Sequence, residues 1–158
     1  MYERVLVLLD GSELAEQVLP HVAEIVRGRD IEVHLLSVAP VVMPPTAVVV
    51  DVYPIYMTAD FMATQAAERE RIGRELQEYL DGVVQRMRSV AGKVRTAIRS
   101  GRPAEEILQY AEEVGIDLIA MCTHGRSGLS RWVYGSVADR VLRGANCPVL
   151  LVRVHPTE

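Results

Sequence analysis

The chain has little cysteine and little lysine. Only Cys122 and Cys147 occur among its 158 residues, and Lys93 is its one lysine against sixteen arginines. Two cysteines cannot supply a disulfide framework, and the apolar run near the start ends at Asp10, too soon for a signal peptide. We therefore expect a cytoplasmic protein with reduced thiols.

No long hydrophobic run and no excess of basic charge are present. The longest apolar region, from Val38 to Tyr56, is interrupted by four prolines and Asp51, so it does not supply the roughly 20 residues of a membrane-spanning helix. The net charge of -4 argues against a general nucleic-acid surface. We expect neither a membrane nor a nucleic-acid partner.

Several catalytic and metal-binding patterns are also missing. No G-x4-G-K-S/T phosphate loop occurs, which argues against a motor ATPase or a kinase. No G-x-S-x-G sequence surrounds Ser136, which argues against a hydrolase triad with His124 and Asp10. The histidines His21 and His34 do not show the spacing of metal ligands. We expect no catalytic residues and no protein metal site.

Apolar strands alternate with amphipathic helices along the whole chain. Four strands are short apolar runs and the one at 93–98 alternates in polarity, whereas the helices show apolar residues at steps of three and four. The predicted strands are 4–9, 32–38, 93–98, 117–122 and 148–152, and the predicted helices are 14–26, 61–90, 103–114 and one from 135 onward. This order predicts one α/β domain over residues 1–158, with a parallel sheet and helices on both faces.

A long proline-rich connection, Ala39 to Asp60, separates the second strand from the longest helix. Connections beyond about 15 residues are uncommon in compact domains and are usually functional. We interpret it as a candidate lid or partner surface.

The segment from Met121 to Val154 carries isolated glycines between a strand and a helix. Its spacing is Cys122, two residues, Gly125, nine residues and then Gly135-Ser136. Glycine lets an anion approach the backbone closely, and amides at a helix N-terminus favour negative charge. The pattern suits a phosphate chain, although the glycines can equally shape a loop while Ser136 caps the helix.

Asp10 directly follows the first predicted strand, and Cys122 ends the fourth. In a doubly wound sheet, ligands bind at the carboxyl ends of strands where the strand order reverses, so these two strand ends should face each other. A carboxylate there can accept hydrogen bonds from ribose hydroxyls. The alternative is that Asp10 is a turn residue before a helix capped by Ser12.

The chain resembles the universal stress proteins in VLVLLDGS, GRPAEEIL, THGRSGLSRWVYGSVADRVL and CPVLLV. The resemblance implies a five-stranded Rossmann-like parallel sheet of order 3-2-1-4-5, a homodimer and, in one branch, ATP binding through a G-x2-G-x9-G-S/T pattern. By position, Asp10 would hold the ribose and Val38 the adenine. The implied nucleotide-binding residues are Asp10, Val38, Met121, Cys122, Gly125, Arg126, Gly135 and Ser136.

Cys122 departs from that pattern because it stands where the first glycine is expected. A cysteine is tolerated if the backbone there has negative φ and is strained if φ is positive. The leading hypothesis is a nucleotide-dependent dimeric regulator that binds ATP, with any Mg²⁺ arriving on the phosphates, and that contacts an unknown protein partner. The alternatives are a nucleotide-free dimer that binds partners directly and a slow ATP hydrolase.

The last predicted strand, 148–152, and its continuation to Val154 would lie at a sheet edge in this order. An apolar edge strand invites pairing with another chain, and pairing with its own copy would cover it. We therefore predict a homodimer through this strand.

Overall fold

Five parallel strands form one sheet in the order β3-β2-β1-β4-β5 in a computed structural model that describes residues 1–41, 59–124 and 135–154. The strands are β1 (Arg4–Leu8), β2 (Glu32–Pro40), β3 (Lys93–Gly101), β4 (Leu118–His124) and β5 (Val149–Val154). The helices are α1 (Glu13–Glu16), α2 (Leu19–Val26), α3 (Ala59–Met87), α4 (Pro103–Val114) and α5 (Ser136–Gly144). The predicted fold class and strand order are confirmed.

Alternate residues of the central strands enter two separate cores, because successive side chains of a strand point to opposite faces. Val5 and Val7 pack with side chains of α2 and α3, including Val22 and Leu80. On the other face, Leu6 and Leu8 pack with side chains of α4 and α5, which include Ile107 and Val141. The sheet is therefore covered on both faces, as its continuous apolar strands predict.

The single helix predicted over residues 14–26 is wrong, since two helices occupy this segment. Pro20 explains the interruption: it has no N–H to donate to the carbonyl of Glu16, and its ring clashes with that carbonyl in a continuous helix. Pro20 instead occupies the first turn of α2, where the missing N–H costs nothing.

Other boundaries moved by a few residues. The strand β2 runs two residues past its predicted end at Val38, and β3 runs three past Ile98. These two strands pair along their whole length, from Glu32 beside Lys93 to Pro40 beside Gly101, and the shared ladder extends both. Most of the predicted loop Ala39 to Asp60 lies outside the described residues.

Within the described ranges, no helix is both long enough and apolar enough to cross a bilayer. The longest, α3, carries charged side chains through its N-terminal half, where Arg71 pairs with Glu68 and Glu75 and Arg74 pairs with Glu70. Such pairs at three- and four-residue spacing add modest support to an exposed helix.

Candidate functional site

The candidate site lies at the carboxyl end of the sheet, where the ladder between β1 and β4 ends; we call this place the crevice. Their ladder ends with Val7 beside Ala120, although β4 continues to His124. The end of β1 stays with β2 instead: the Leu9 amide donates to the Leu36 carbonyl at 3.0 Å, and the Ser37 hydroxyl donates to the Leu9 carbonyl at 2.7 Å. The sheet therefore parts between β1 and β4.

Asp10 lies on one side of this crevice with an exposed carboxylate. Its Oδ1 accepts hydrogen bonds from the Ser12 amide at 2.9 Å and from the Ser12 hydroxyl at 2.6 Å. Its Oδ2 accepts no hydrogen bond from any described residue, so one oxygen remains for a ligand. A ribose hydroxyl is a suitable hydrogen-bond donor for this oxygen.

Gly11 and Ser12 form the turn that orients the Asp10 carboxylate. Gly11 has φ +85°, a left-handed conformation that favours glycine. Ser12 then caps α1, because its Oγ accepts from the Ala15 amide at 3.1 Å while it donates to Asp10. The predicted turn and cap are thus present, and they hold the carboxylate rather than replace its use as a ligand acceptor.

Cys122 lies on the other side of the crevice, inside β4 and beside Val152 of β5. A strand residue has extended backbone with negative φ, so the cysteine at this position is not strained. Its half-buried side chain packs against the core on the α2 and α3 face, while Met121 is buried on the opposite face. The glycine-to-cysteine departure is accommodated.

Two groups near Asp10 have raised pKa values. Burial is the largest cause that raises the pKa of the Cys122 thiol; a backbone hydrogen bond with Val18 lowers it, and the Asp10 carboxylate makes a smaller contribution that raises it. Burial is also the largest cause that raises the pKa of Tyr79, followed by Glu16, with a smaller contribution from Asp10. Tyr79 of α3 therefore lies near the same carboxylate, and the sequence offered no sign of it beyond an apolar helix position.

The N-terminus of α5 completes the crevice on the β4 side. Gly135 is the residue before the helix, and no side chain of the described ranges caps the first turn, so the expected alternative of a Ser136 cap is wrong. A Cβ on Gly135 would meet no atom of the described residues within 4 Å. Asp139 in this turn pairs with Arg143 at 3.0 Å, which offsets its charge. Helix amides that no described side chain caps, preceded by a glycine, suit an oxyanion.

The remaining predicted site residues divide into two groups. Val38 is half-buried in β2, one residue after the Ser37 that ties β2 to the end of β1. Gly125 and Arg126 lie outside the described residues. The structure thus brings Asp10, Val38, Met121 and Cys122 to neighbouring strand ends, and it places Gly135 and Ser136 at the start of α5.

The universal stress protein family model matches residues 1–153. The chain belongs to the universal stress protein family. It is 33% identical over 153 residues to universal stress protein MJ0531 of Methanocaldococcus jannaschii, covering 97% of this chain and 83% of that protein. The family assignment agrees with the resemblance in the sequence.

Solved structures with the same fold cover nearly the whole chain. MJ0577 of Methanocaldococcus jannaschii superposes with a TM-score of 0.78 at 28% identity, covering 99% of both chains. A universal stress protein from Archaeoglobus fulgidus, solved in complex with dAMP, superposes with a TM-score of 0.60 at 23% identity, covering 96% of this chain and 98% of that one. At that identity the second match speaks only for the fold.

Proposed function

We propose that this chain is a homodimeric, nucleotide-dependent regulator that binds ATP in the crevice between β1 and β4. The observation that carries the proposal is the end of the β1–β4 ladder at Val7 and Ala120, with the exposed carboxylate of Asp10 on one side and, on the other, a helix start that no described side chain caps. Ribose and phosphate require these two kinds of group at a short separation. The dAMP complex of the Archaeoglobus fulgidus relative is consistent with this use of the fold.

The nucleotide would lie across the sheet end, from β2 toward α5. Val38 would contact the base, Asp10 would accept from the ribose hydroxyls, and the phosphates would reach Gly125, Gly135 and Ser136. Cys122 and Met121 would line the floor, with Arg126 near the phosphates. Mg²⁺, which binds nucleotides mainly through phosphate oxygens, would arrive with the ligand.

Dimerisation is proposed through β5, which pairs with β4 on one side and is the last strand of the sheet. Its residues Val149, Leu150, Leu151 and Val152 are all half-buried rather than buried. A second copy of β5 would cover this apolar edge. Nucleotide binding would then regulate the contacts that the dimer makes with a partner protein in the cytoplasm.

Calorimetric titration of nucleotide-stripped protein with ATP, with and without Mg²⁺, tests the binding proposal. We expect saturable binding of ATP and weaker binding of dATP, because the deoxyribose lacks one hydroxyl that would donate a hydrogen bond to Asp10. Binding seen only after Cys122→Gly would mean that the cysteine closes the site, and the nucleotide-free, partner-binding alternative would then lead. Phosphate release above that of a Gly125→Val, Ser136→Ala double variant would support the slow hydrolase instead.

Sedimentation equilibrium, combined with hydrogen exchange, tests the dimer independently of nucleotide. A dimer through β5 predicts protection of the β5 amides that point away from β4. A monomer at all concentrations, with those amides exchanging freely, would refute it.

A further inference from the structure

A second pocket lies at the amino end of the sheet, opposite the crevice. It has a volume of about 470 Å³, and its walls include Arg4, Glu32, His34, Arg95, Tyr110 and Val114. In the register of the sheet, Arg4 lies beside Glu32 at the first positions of β1 and β2. Two residues further along β2, His34 lies beside Arg95 of β3. The C-terminal half of α4 forms the opposite wall through Tyr110 and Val114.

His34 is the unusual residue of this pocket. It is only 3% exposed, and its Nδ1 lies 2.8 Å from the Tyr110 hydroxyl. Its Nε2 is buried and has no hydrogen-bond partner among the described residues; the Oε1 of Glu32, at 3.8 Å, is too far for a hydrogen bond. A buried polar atom without a partner is costly, so this nitrogen marks a position where a ligand atom would be stabilised.

The protonation of His34 follows from its surroundings. Burial is the largest cause that lowers its pKa, which favours a neutral ring at pH 7. If the Tyr110 hydroxyl donates to Nδ1, the ring proton resides on Nε2, and the nearby Glu32 carboxylate favours that tautomer. In that tautomer His34, which lines the pocket, carries a buried N–H donor 3.8 Å from the Oε1 of Glu32.

Two guanidinium groups give the pocket its charge. Arg95 donates to Glu32 through Nε, and its two terminal nitrogens donate to no described residue. Arg4 uses Nη1 on the carbonyls of Val114 and Gly115, at 3.3 and 3.4 Å. Two positive charges thus face the single carboxylate of Glu32, whose own pKa is lowered chiefly by the hydrogen bond from Arg95.

An adjoining pocket of about 360 Å³ shares Glu32 and Arg95 and adds Arg88 and Lys93 to the lining. Of these, Lys93 pairs with the exposed Asp30 at 3.2 Å. The linings of the two pockets together therefore carry four basic side chains and the carboxylate of Glu32, and this balance favours an anionic ligand even though Asp30 offsets the charge of Lys93.

We propose that the pocket lined by His34, Arg4 and Arg95 is a second ligand site, separate from the nucleotide crevice, that binds a small oxyanion. The planar fork of Arg95 matches the geometry of a carboxylate or a phosphate, and these share the oxygens that the fork recognises. The His34 Nε2–H supplies the buried donor, and Arg4 adds the second charge. The site does not depend on ATP binding at the other end of the sheet.

Nuclear magnetic resonance of the His34 imidazole and of the His34 and Arg95 amides tests this site locally. The protein is titrated with inorganic phosphate and, separately, with acetate, each at constant ionic strength against sodium chloride. We expect saturable shifts of these signals with at least one anion. Preference for phosphate would identify a phosphoryl ligand, and preference for acetate would identify a carboxylate ligand.

Two arginine variants complete the test. Arg95→Gln should weaken the binding about tenfold, because it removes the charged fork. Arg102→Gln, which removes an equally exposed charge at the start of α4, should leave it unchanged. Circular dichroism confirms that both variants are folded. Shifts that never saturate, that equal those with chloride, or that fall equally in both variants would overturn the proposal.

Discussion

The two ends of the sheet differ in what builds them. At the carboxyl end, the opening comes from the backbone: β1 follows β2 while β4 follows β5, and the ladder between β1 and β4 stops at Val7 and Ala120. At the amino end the strands stay paired, and the pocket comes from side chains, chiefly His34, Glu32 and Arg95.

The charges of the two ends also differ. The carboxyl end presents Asp10 and the amides of α5, whereas the pockets at the amino end are lined by Arg4, Arg88, Lys93 and Arg95 around the carboxylate of Glu32. The position of the crevice is set by the strand order of the fold, whereas the pocket at the amino end depends on the identity of its individual side chains. Matched substitutions at the two ends of the sheet should therefore have different effects.

The largest expected effect is that of Asp10→Ala on ATP binding. A hydrogen bond to a charged group contributes about 1.5–3 kcal/mol, so affinity should fall at least about tenfold. Asp30→Ala makes the same change at the amino end, where Asp30 pairs with Lys93, and should leave ATP affinity unchanged. Calorimetry measures both, and an equal loss in the two variants would contradict the crevice as the nucleotide site.

Ser12→Ala should have the next largest effect, this time on stability. The hydroxyl caps α1 through the Ala15 amide and also donates to Asp10, and loss of such a cap costs about 1 kcal/mol. Ser136→Ala should leave the free energy of unfolding unchanged, since no side chain caps α5. Urea unfolding distinguishes them; equal losses would show that Ser136 also has a structural role.

Cys122→Gly should cost about 0.5–1 kcal/mol more than Cys122→Ala, because glycine in a strand loses more conformational entropy on folding. Both variants lack the thiol, so their difference isolates the backbone effect. ATP affinity should be similar for both, as β4 is extended at this position. A large gain in affinity with glycine alone would mean that the site requires a glycine conformation there.

The smallest effect concerns pH and the amino end. The pKa of His34 is lower in the folded state than its unfolded value of about 6.5. As the pH falls below that value, the unfolded chain binds more protons at this residue than the folded chain does, so the free energy of unfolding decreases. Glu32 partly offsets burial, whereas Arg95 and Arg4 add to it. The stability of His34→Gln should decrease less steeply from pH 7 to pH 5.

The exposed His21, changed to Gln, is the control for this pH dependence. Its variant should follow the native profile in urea unfolding at each pH. If His34→Gln follows the native profile as well, burial of His34 does not contribute to acid sensitivity.

Much of the fold and part of the site could be predicted from the sequence. Apolar runs identified four of the five strands, alternating polarity identified the strand at 93–98, and the rule for strand ends in doubly wound sheets predicted that Asp10 faces Cys122. The division between α1 and α2 could have been predicted from Pro20. It was missed because the apolar residues recur every four positions through both helices.

The sequence by itself determined the alternation of strands and helices, the family and the residues at the strand ends, because these depend on local periodicity and on short motifs. Only the tertiary structure decided that Ser37 ties β2 to Leu9, 28 residues away, and that Tyr110 reaches His34 across 76 residues. Contacts at such separations arise from the packing of distant segments, which no local pattern encodes. For this reason the carboxyl end was predictable and the pocket at the amino end was not.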